Sequence, residues 1–350
     1  MPVNFRNYFP IHSLSFGKFG MNYLTQPTGF HAVHGLQTIG RNTTFNLQSI
    51  NEIGQLEVYE QVEGIPSVEL TATKVIDGYP LIQHLATQTA AGSGLGGRYN
   101  NSRANAIVAI YNFANSAASG VPLSIGSLSG LYVSAINFSI PVDGAATESV
   151  TLVGNNVVWY TGVAQLPTGI TNATIFNSPE TRFNNADSPP GTGGVQYREN
   201  LDMAQCRFPR DLPGISTSGT NDWDVNQQFL CHIQNVNIAC NFGREELFEL
   251  GRRGPYYRFA NFPTDVTCSI ELTTNEYGEN RSAYEETNNL TDEQIVLVFN
   301  CGVRIDLGVK NKLDNIALQG GDATGGNMTT VYNYKNQNSL TVLFPFKDFL

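Results

Sequence analysis

From Ile295 the chain is apolar at every odd position through Val309: Ile295, Leu297, Phe299, Cys301, Val303, Ile305, Leu307 and Val309. The even positions from Asn300 read Asn300, Gly302, Arg304, Asp306, Gly308 and Lys310. A period of two sustained over that length does not fit an amphipathic helix, whose side chains return to one face every 3.6 residues, and it requires strand with one dry and one wet face. Gly302 predicts either one long strand or two strands meeting at a bend. The alternation returns in Val236, Ile238, Cys240 and Phe242, set between Asn235, Asn237 and Asn241, and again in Leu340, Val342, Phe344 and Phe346. Clusters of Gly, Asn, Ser and Thr separate these runs and supply turns. The predicted class is all-β, mainly antiparallel, with short helices. One such helix is expected over Arg244–Leu250, with Leu247 and Leu250 on one face and Gly251 as a left-handed stop.

The chain also repeats itself. Glu249-Leu250-Gly251, Tyr256 and Phe262-Pro263 lie 197 positions after Glu52-Ile53-Gly54, Tyr59 and Ile65-Pro66. The same spacing sets Ile39 against Val236, Phe45 against Phe242 and Ile50 against Leu247, and one further residue brings Val68 onto Val266. Ile107–Tyr111 corresponds to Ile295–Phe299, and Ile136-Asn137-Phe138 followed by Thr147–Thr151 corresponds to Ile316-Ala317-Leu318 followed by Asn327–Thr330. The spacing has shrunk to 180 at Ile316, so the first copy carries longer loops, among them the Gly/Ser/Asn-rich stretch around Gly92–Gly120. Such a repeat implies two tandem copies of one β-barrel or sandwich domain. The expected organisation is a first domain with an N-terminal arm over 1–160, a linker or insertion over 161–224, and a second domain over 225–350. The middle segment holds Ser188-Pro189-Pro190-Gly191-Thr192-Gly193-Gly194, which suits a crossing arm or surface loops.

Composition narrows the function. Only 14% of the 350 residues are charged, against about 25% in an average soluble protein, so part of the surface is expected to be covered by protein. Twenty basic against 30 acidic side chains give a net charge of −10, which opposes tight binding to nucleic acid through phosphate neutralisation. Met1–Tyr8 shows no basic stretch leading into an apolar one, and no run approaches 18 apolar residues; neither a secretory signal nor a membrane span is expected. Cys206, Cys231, Cys240, Cys268 and Cys301 are odd in number without a CxxC spacing, which predicts buried reduced thiols, not a disulfide framework or a zinc site. The sequons at Asn137 and Asn289 matter only in a secretory pathway, for which the sequence offers no signal.

No chemical motif survives its context. Gly92-Ser93-Gly94-Leu95-Gly96-Gly97 has dinucleotide-loop spacing but runs into polar Arg98–Ser102, with no helix to meet a pyrophosphate. Asp222-Trp223-Asp224-Val225-Asn226 opens like a calcium loop, yet Gln227 stands where the turn needs Gly and Ile233 where a bidentate Glu belongs. His31 and His34 form the only close histidine pair, with His12, His84 and His232 scattered, and they read as loop residues and not ligands. Glu245 and Glu246 are adjacent and diverge on a helix, where acid/base work needs convergence. No nucleophile elbow is present. The sequence therefore predicts no catalytic, cofactor-binding or metal-binding residue, no cofactor and no enzyme activity.

A weakly charged, duplicated β chain covers its strand edges against copies of itself, which predicts a self-assembling structural protein. Val236-Asn237-Ile238 leading into Arg244–Arg258 and Phe262-Pro263, together with Gly320–Asn327 and with Val142-Asp143-Gly144 before Thr147–Asn155, resembles the tail tube proteins of tailed bacteriophages. That resemblance implies a virion protein, assembled in the host bacterial cytoplasm, whose rings stack into a hollow tail tube for genome ejection. The implied partners are further copies of itself, with a trimer of pseudo-sixfold symmetry preferred to a hexamer, then sheath, baseplate and tail terminator proteins. Double-stranded DNA passes without tight binding, and no membrane is engaged. Two alternatives stay open at this stage: a baseplate or tail-tip component of the same fold, and a carbohydrate-binding β-sandwich acting as a receptor-binding module. The second needs exposed aromatics on a sheet face, and Trp159 and Trp223 are the only tryptophans.

Overall fold

The structure, a computed structural model, describes residues 12–20, 29–87, 102–111, 122–161, 194–209, 212, 232–252, 254–273, 290–319 and 328–344. In chain order its elements are β1 (His12–Lys18), β2 (Phe30–Ala32), β3 (Leu36–Thr44), β4 (Gln48–Asn51), β5 (Val58–Val62), β6 (Ser67–Val75), α1 (Ile82–Thr87), β7 (Ala104–Ile110), β8 (Ser124–Pro141), β9 (Thr147–Gly154) and β10 (Asn156–Thr161). There follow β11 (Ile233–Asn241), β12 (Arg244–Leu247), β13 (Tyr257–Ala260), β14 (Asp265–Thr273), β15 (Val296–Val298), β16 (Arg304–Asp306), β17 (Lys312–Gln319), β18 (Thr329–Gln337) and β19 (Thr341–Leu343). The fold is all-β, as the alternation requires. The long odd-position run resolves into two strands, β15 and β16, joined across a turn where Gly302 takes φ +87°. Ile295 through Leu307 at odd positions are buried, while Val309 is exposed.

Strand β8 organises the molecule. Its first part pairs with β7 and β10, and its second part pairs with β9 and β11, so one 18-residue strand passes from one sheet into another. The larger sheet runs β3-β6-β9-β8-β11-β14-β18-β17, antiparallel throughout. Alternate residues of its strands, such as Leu70, Leu152, Phe138, Ile238, Ile270 and Tyr334, point into a single core shared with the shorter strands and α1.

The pairing pattern of one half returns in the other. The β3–β6 ladder carries a bulge between Leu36 and Thr38, and the β11–β14 ladder carries one between Ile233 and Asn235, 197 positions on. The β8–β9 ladder is shifted between Val133 and Ala135, and β17–β18 between Leu313 and Asn315, 180 positions on. Bulges are placed features of a sheet, since each bends a strand and leaves a residue unpaired. The smaller sheets follow suit: β8 is flanked by β7 and β10 as β16 is flanked by β15 and β19.

One expectation meets a different outcome. Arg244–Leu250 is no helix: Arg244–Leu247 form β12 and pair with β13, Leu247 opposite Tyr257. The cross-strand partners that Tyr257–Ala260 supply outweigh a local propensity for two turns. Gly251 does adopt a left-handed φ of +84°, at the tip of this hairpin. Within the 161–224 segment, the described residues 194–209 and 212 run from one half to the other, with Gln196, Cys206, Phe208 and Leu212 buried and Tyr197, Arg198 and Glu199 exposed. Gln196 bonds Ile76 and Ala146 of the first half, and Leu201 and Arg207 bridge to Phe299 and Val296 of the second. This strip edges β15 as β1 edges β7.

Helix α1 ties the halves together through a buried polar cluster. Glu148 accepts from the backbone N–H of Ile82 (2.6 Å) and Gln83 (3.1 Å), which otherwise have no partner at a helix start. Beneath it, Lys74 donates to Asp77 at 3.1 Å and to the carbonyl of Pro80 at 2.9 Å. On α1 itself, His84 bonds the carbonyl of Val342 at 3.2 Å, joining the first half to β19. Burial raises the Glu148 carboxyl from 4.5 to about 7, against the lowering pull of the Gln83 N–H, Lys74 and the Ile82 N–H. Burial lowers His84 from 6.5 to about 4. The two act oppositely on stability. Glu148 contributes fully below pH 4.5 and loses that contribution as pH rises to about 7, whereas His84 contributes above 6.5 and loses it as pH falls toward 4. Glu148→Gln removes the first effect and leaves the second. Its melting temperature is expected to drop more steeply than that of the unsubstituted chain between pH 7 and pH 5; parallel curves would contradict the assignment.

Candidate assembly surface

Three features of the larger sheet face outward: an open face, two terminal edges and two hairpins. On the open face, side chains line up in rows of cross-strand partners. One row runs Thr147–Ser139–Asn237–Ser269–Asn333–Asn315 across six strands. Beside it runs Thr38–Thr73–Ser149–Asn137–Ala239–Thr267–Lys335–Lys312. Apart from Ala239 and the two lysines that end the second row, these side chains are short, polar and uncharged, and some bond one another, as Thr73 with Ser149 at 3.1 Å and Asn333 with Asn315 at 3.0 Å. Neither row holds an aromatic. Trp159 lies on β10, with the Arg41 guanidinium 4.9 Å from its ring centre.

The sheet ends in β3 on one side and β17 on the other, so each presents an outer row of backbone donors and acceptors. By the repeat, β3 corresponds to β11 and β17 to the second part of β8. Those two strands pair with each other at the middle of the sheet, with Ile238 opposite Phe138 and Asn241 opposite Ala135. The chain therefore contains a seam between its halves, and among the described residues the two strands of the same kind have no further partner at its ends.

The hairpins β4–β5 and β12–β13 are also counterparts. Ser49 pairs with Gln61 and Ile50 with Glu60, and 197 positions later Glu246 pairs with Arg258 and Leu247 with Tyr257. Gly54 and Gly251, with φ +94° and +84°, occupy matched tip positions that side chains with a Cβ adopt at a cost. Their surroundings differ. β12–β13 leans on the first half: Arg258 bonds Asn155 Oδ1 at 3.1 Å and pairs with Glu246, Arg244 Nε donates to the Val133 carbonyl at 2.7 Å, and Tyr257 meets Tyr132 edge-on at 6.1 Å. Burial lowers both guanidinium groups, Arg244 to about 10, so each stays charged in its contact. By contrast every residue of β4 and β5 is exposed. Phe242 is 1% exposed and its counterpart Phe45 is 61% exposed.

Residues weighed for chemistry do not converge. His31 lies on β2 and His34 in the turn after it, stacked on Tyr79 at 4.4 Å. Glu245 and Glu246 alternate on β12, and Glu246 is held by Arg258. Cys206, Cys240, Cys268 and Cys301 are free and buried, and burial pushes their thiols up to about 11 or 12, away from thiolate chemistry. Among the described residues no His, Cys, Asp and Glu cluster suits a metal ion. The Gly92–Gly97 and Asp222–Asn226 stretches, Cys231, Trp223, Asn289 and Gly320–Asn327 lie outside the described residues. The contacts of Arg244 and Arg258 with the first half, and the place of Tyr132 among them, are not visible in the sequence, because a contact between a hairpin and a distant strand leaves no period in the chain.

No protein-family model matches the chain, and no curated protein does. Solved structures similar to part of it include the tube-terminating cap of the anti-feeding prophage, 12% identical over 46% of this chain and 95% of that one, with a TM-score of 0.34. A sheath/tube terminator of the extracellular contractile injection system PVC is 12% identical over 45% of this chain and 99% of its own, at 0.34. A chain of the PVC sheath-tube complex is 11% identical over 45% and 94%, at 0.33.

The unequal packing of the hairpins gives a direct test on the unassembled chain. Arg258→Ala removes a buried charge's contacts and is expected to cost about 2 kcal/mol. Gln61→Ala, at the matched position of the exposed hairpin, is expected to change stability by less than about 0.5 kcal/mol. Equal effects in denaturant titrations would contradict the asymmetry.

Proposed function

We propose that this chain is a structural virion protein, not an enzyme, whose copies close into rings that stack as the tail tube of a bacteriophage. The observation that carries the reading is the seam. A sheet whose two free edges are of the same kinds as the strands joined at its centre can continue by repeating that join between copies. Transferring the β8–β11 register sets Arg41 of one copy opposite Leu318 of the next, Asn42 opposite Ala317, and Thr43 opposite Ile316. Every repeat of the seam rotates one four-strand unit onto the next, so a ring that closes with six units closes with three chains in pseudo-sixfold symmetry. Closure satisfies both edges, which an open chain leaves to uncontrolled pairing.

In this ring the open face forms the wall of the channel. The central Thr, Ser and Asn side chains are uncharged, the lysines at the β17–β18 end of the face, Lys312 and Lys335, stand beside Asp292 and Asp265, and a net charge of −10 opposes phosphate contacts. The absence of aromatics from its central rows disfavours a sugar-binding platform. At the hairpin tips Ile53, Leu56 and Leu250 are fully exposed apolar side chains, suited to contacts between stacked rings. Assembly in the host cytoplasm and attachment to sheath, baseplate and terminator proteins belong to the same reading.

Asn42→Cys combined with Ala317→Cys tests the seam. Oxidation of the assembled protein is expected to yield interchain products that end at three chains; products extending to six would contradict the stoichiometry, and no interchain product would contradict the seam. A second measurement addresses the wall. Titration with duplex DNA at about 0.1 M salt, where screening reaches only about 10 Å, is expected to show no sub-micromolar binding, and tight binding would contradict a conduit.

A further inference from the structure

We propose that the exposed β4–β5 hairpin is an acidic arm that docks into a lysine-lined groove on the second half of an adjacent copy. The proposal rests on the ring reading above and names the contact that accompanies each intermolecular seam. Its template lies inside the chain. Hairpin β12–β13 follows β11 and, beside the β11–β8 seam, seats on β8 and the end of β9, at Tyr132, Val133, Gly154 and Asn155. The registers β8–β9 and β17–β18 superpose Tyr132 on Lys312, Val133 on Leu313, Gly154 on Asn336 and Asn155 on Gln337. In the second half that seat is an open groove of about 640 Å³, lined by Lys312, Leu313, Asn336 and Gln337 together with Lys310, Lys335, Asp292 and Asp314.

Charge selects the occupant. Residues 45–66, which hold the β4–β5 hairpin, contain Glu52, Glu57, Glu60 and Glu63 and no Lys or Arg. The groove carries three lysines, with Asp292 and Asp314 in its lining and Asp265 beside it; Lys312 sits 3.6 Å from Asp292 and Lys335 3.0 Å from Asp265, both at the surface, where an arriving glutamate can exchange with the carboxylate already there. Position by position, Tyr257 in the internal hairpin becomes Glu60, and its partner Tyr132 becomes Lys312. An aromatic pair at the internal contact is thus replaced by a carboxylate and an ammonium at the external one. Phe45, 61% exposed, then receives the cover that its counterpart Phe242 already has within the chain. The two hairpins also differ in charge: residues 242–263 mix Arg244, Arg252, Arg253 and Arg258 with Glu245, Glu246 and Glu249, whereas residues 45–66 carry carboxylates alone, so the lysines favour the β4–β5 hairpin over the internal one.

Charge reversal of the full chain tests this. Glu60→Lys and Lys312→Glu, both at exposed positions, are each expected to weaken ring assembly by about tenfold in sedimentation, and the double variant to recover most of it. Independently, Gln61→Cys with Gln337→Cys is expected to join copies through a short bismaleimide, with neither single variant doing so. Rings that form normally in both charge variants, a double variant as impaired as the singles, or no crosslink in assembled rings would overturn the docking while leaving the ring intact. A chain that forms no rings would overturn both.

Discussion

Backbone hydrogen bonding at a sheet edge is the constraint on which this structure turns. A strand with one unpaired side must meet water, a covering element or another strand, and a long flat edge recruits partners whether or not they are wanted. Here the chain solves the problem once, internally, by joining β8 to β11 in an antiparallel ladder that fuses two four-strand units into one sheet. The same solution is left pending at β3 and β17. Everything else in the fold serves that arrangement: the core faces one side, α1 and the 194–209 strip lock the halves, and the middle of the opposite face is left mostly in short polar side chains.

The two hairpins show how a duplicated sequence diverges once its copies have different neighbours. One is built against its own chain and carries arginines, whose planar heads bond carbonyl and amide oxygens in a partly buried seat. The other is solvent-exposed and acidic. If both sat against identical surfaces, selection for packing would keep them alike; their divergence matches two different seats, aromatic within the chain and lysine-lined on its far side. The proposed ring therefore uses one geometry twice with two chemistries, which separates the internal join from the external one.

Much of the fold was legible in the sequence because it depends on periodicity. The alternation from Ile295 to Val309 located β15 and β16 and the turn at Gly302, and the 197-residue spacing that matched Gly54 with Gly251 reappears in bulges and cross-strand pairs. The helix expected at Arg244–Leu250 failed because Leu247 and Glu246 find partners on β13, an interaction that local propensity does not weigh. Polar functions of single residues were not legible either. Glu148 beneath α1 and Arg258 against Asn155 depend on segments separated by 66 and 103 positions, and no spacing rule links them. The candidate surface lay between these cases, since Asn237 and Ser269 were visible as the wet side of strands but not as parts of one row.

The central claim is that one chain provides two equivalent ring units joined by the seam that also joins neighbouring chains. Cryo-electron microscopy of the purified, assembled protein, averaged in views down the particle axis without imposed symmetry, tests it most directly. The account predicts a hollow ring with six similar lobes that alternate in detail, so that only threefold symmetry survives and each chain contributes two lobes. A ring of six full-length chains, or a discrete oligomer without a channel, would contradict it.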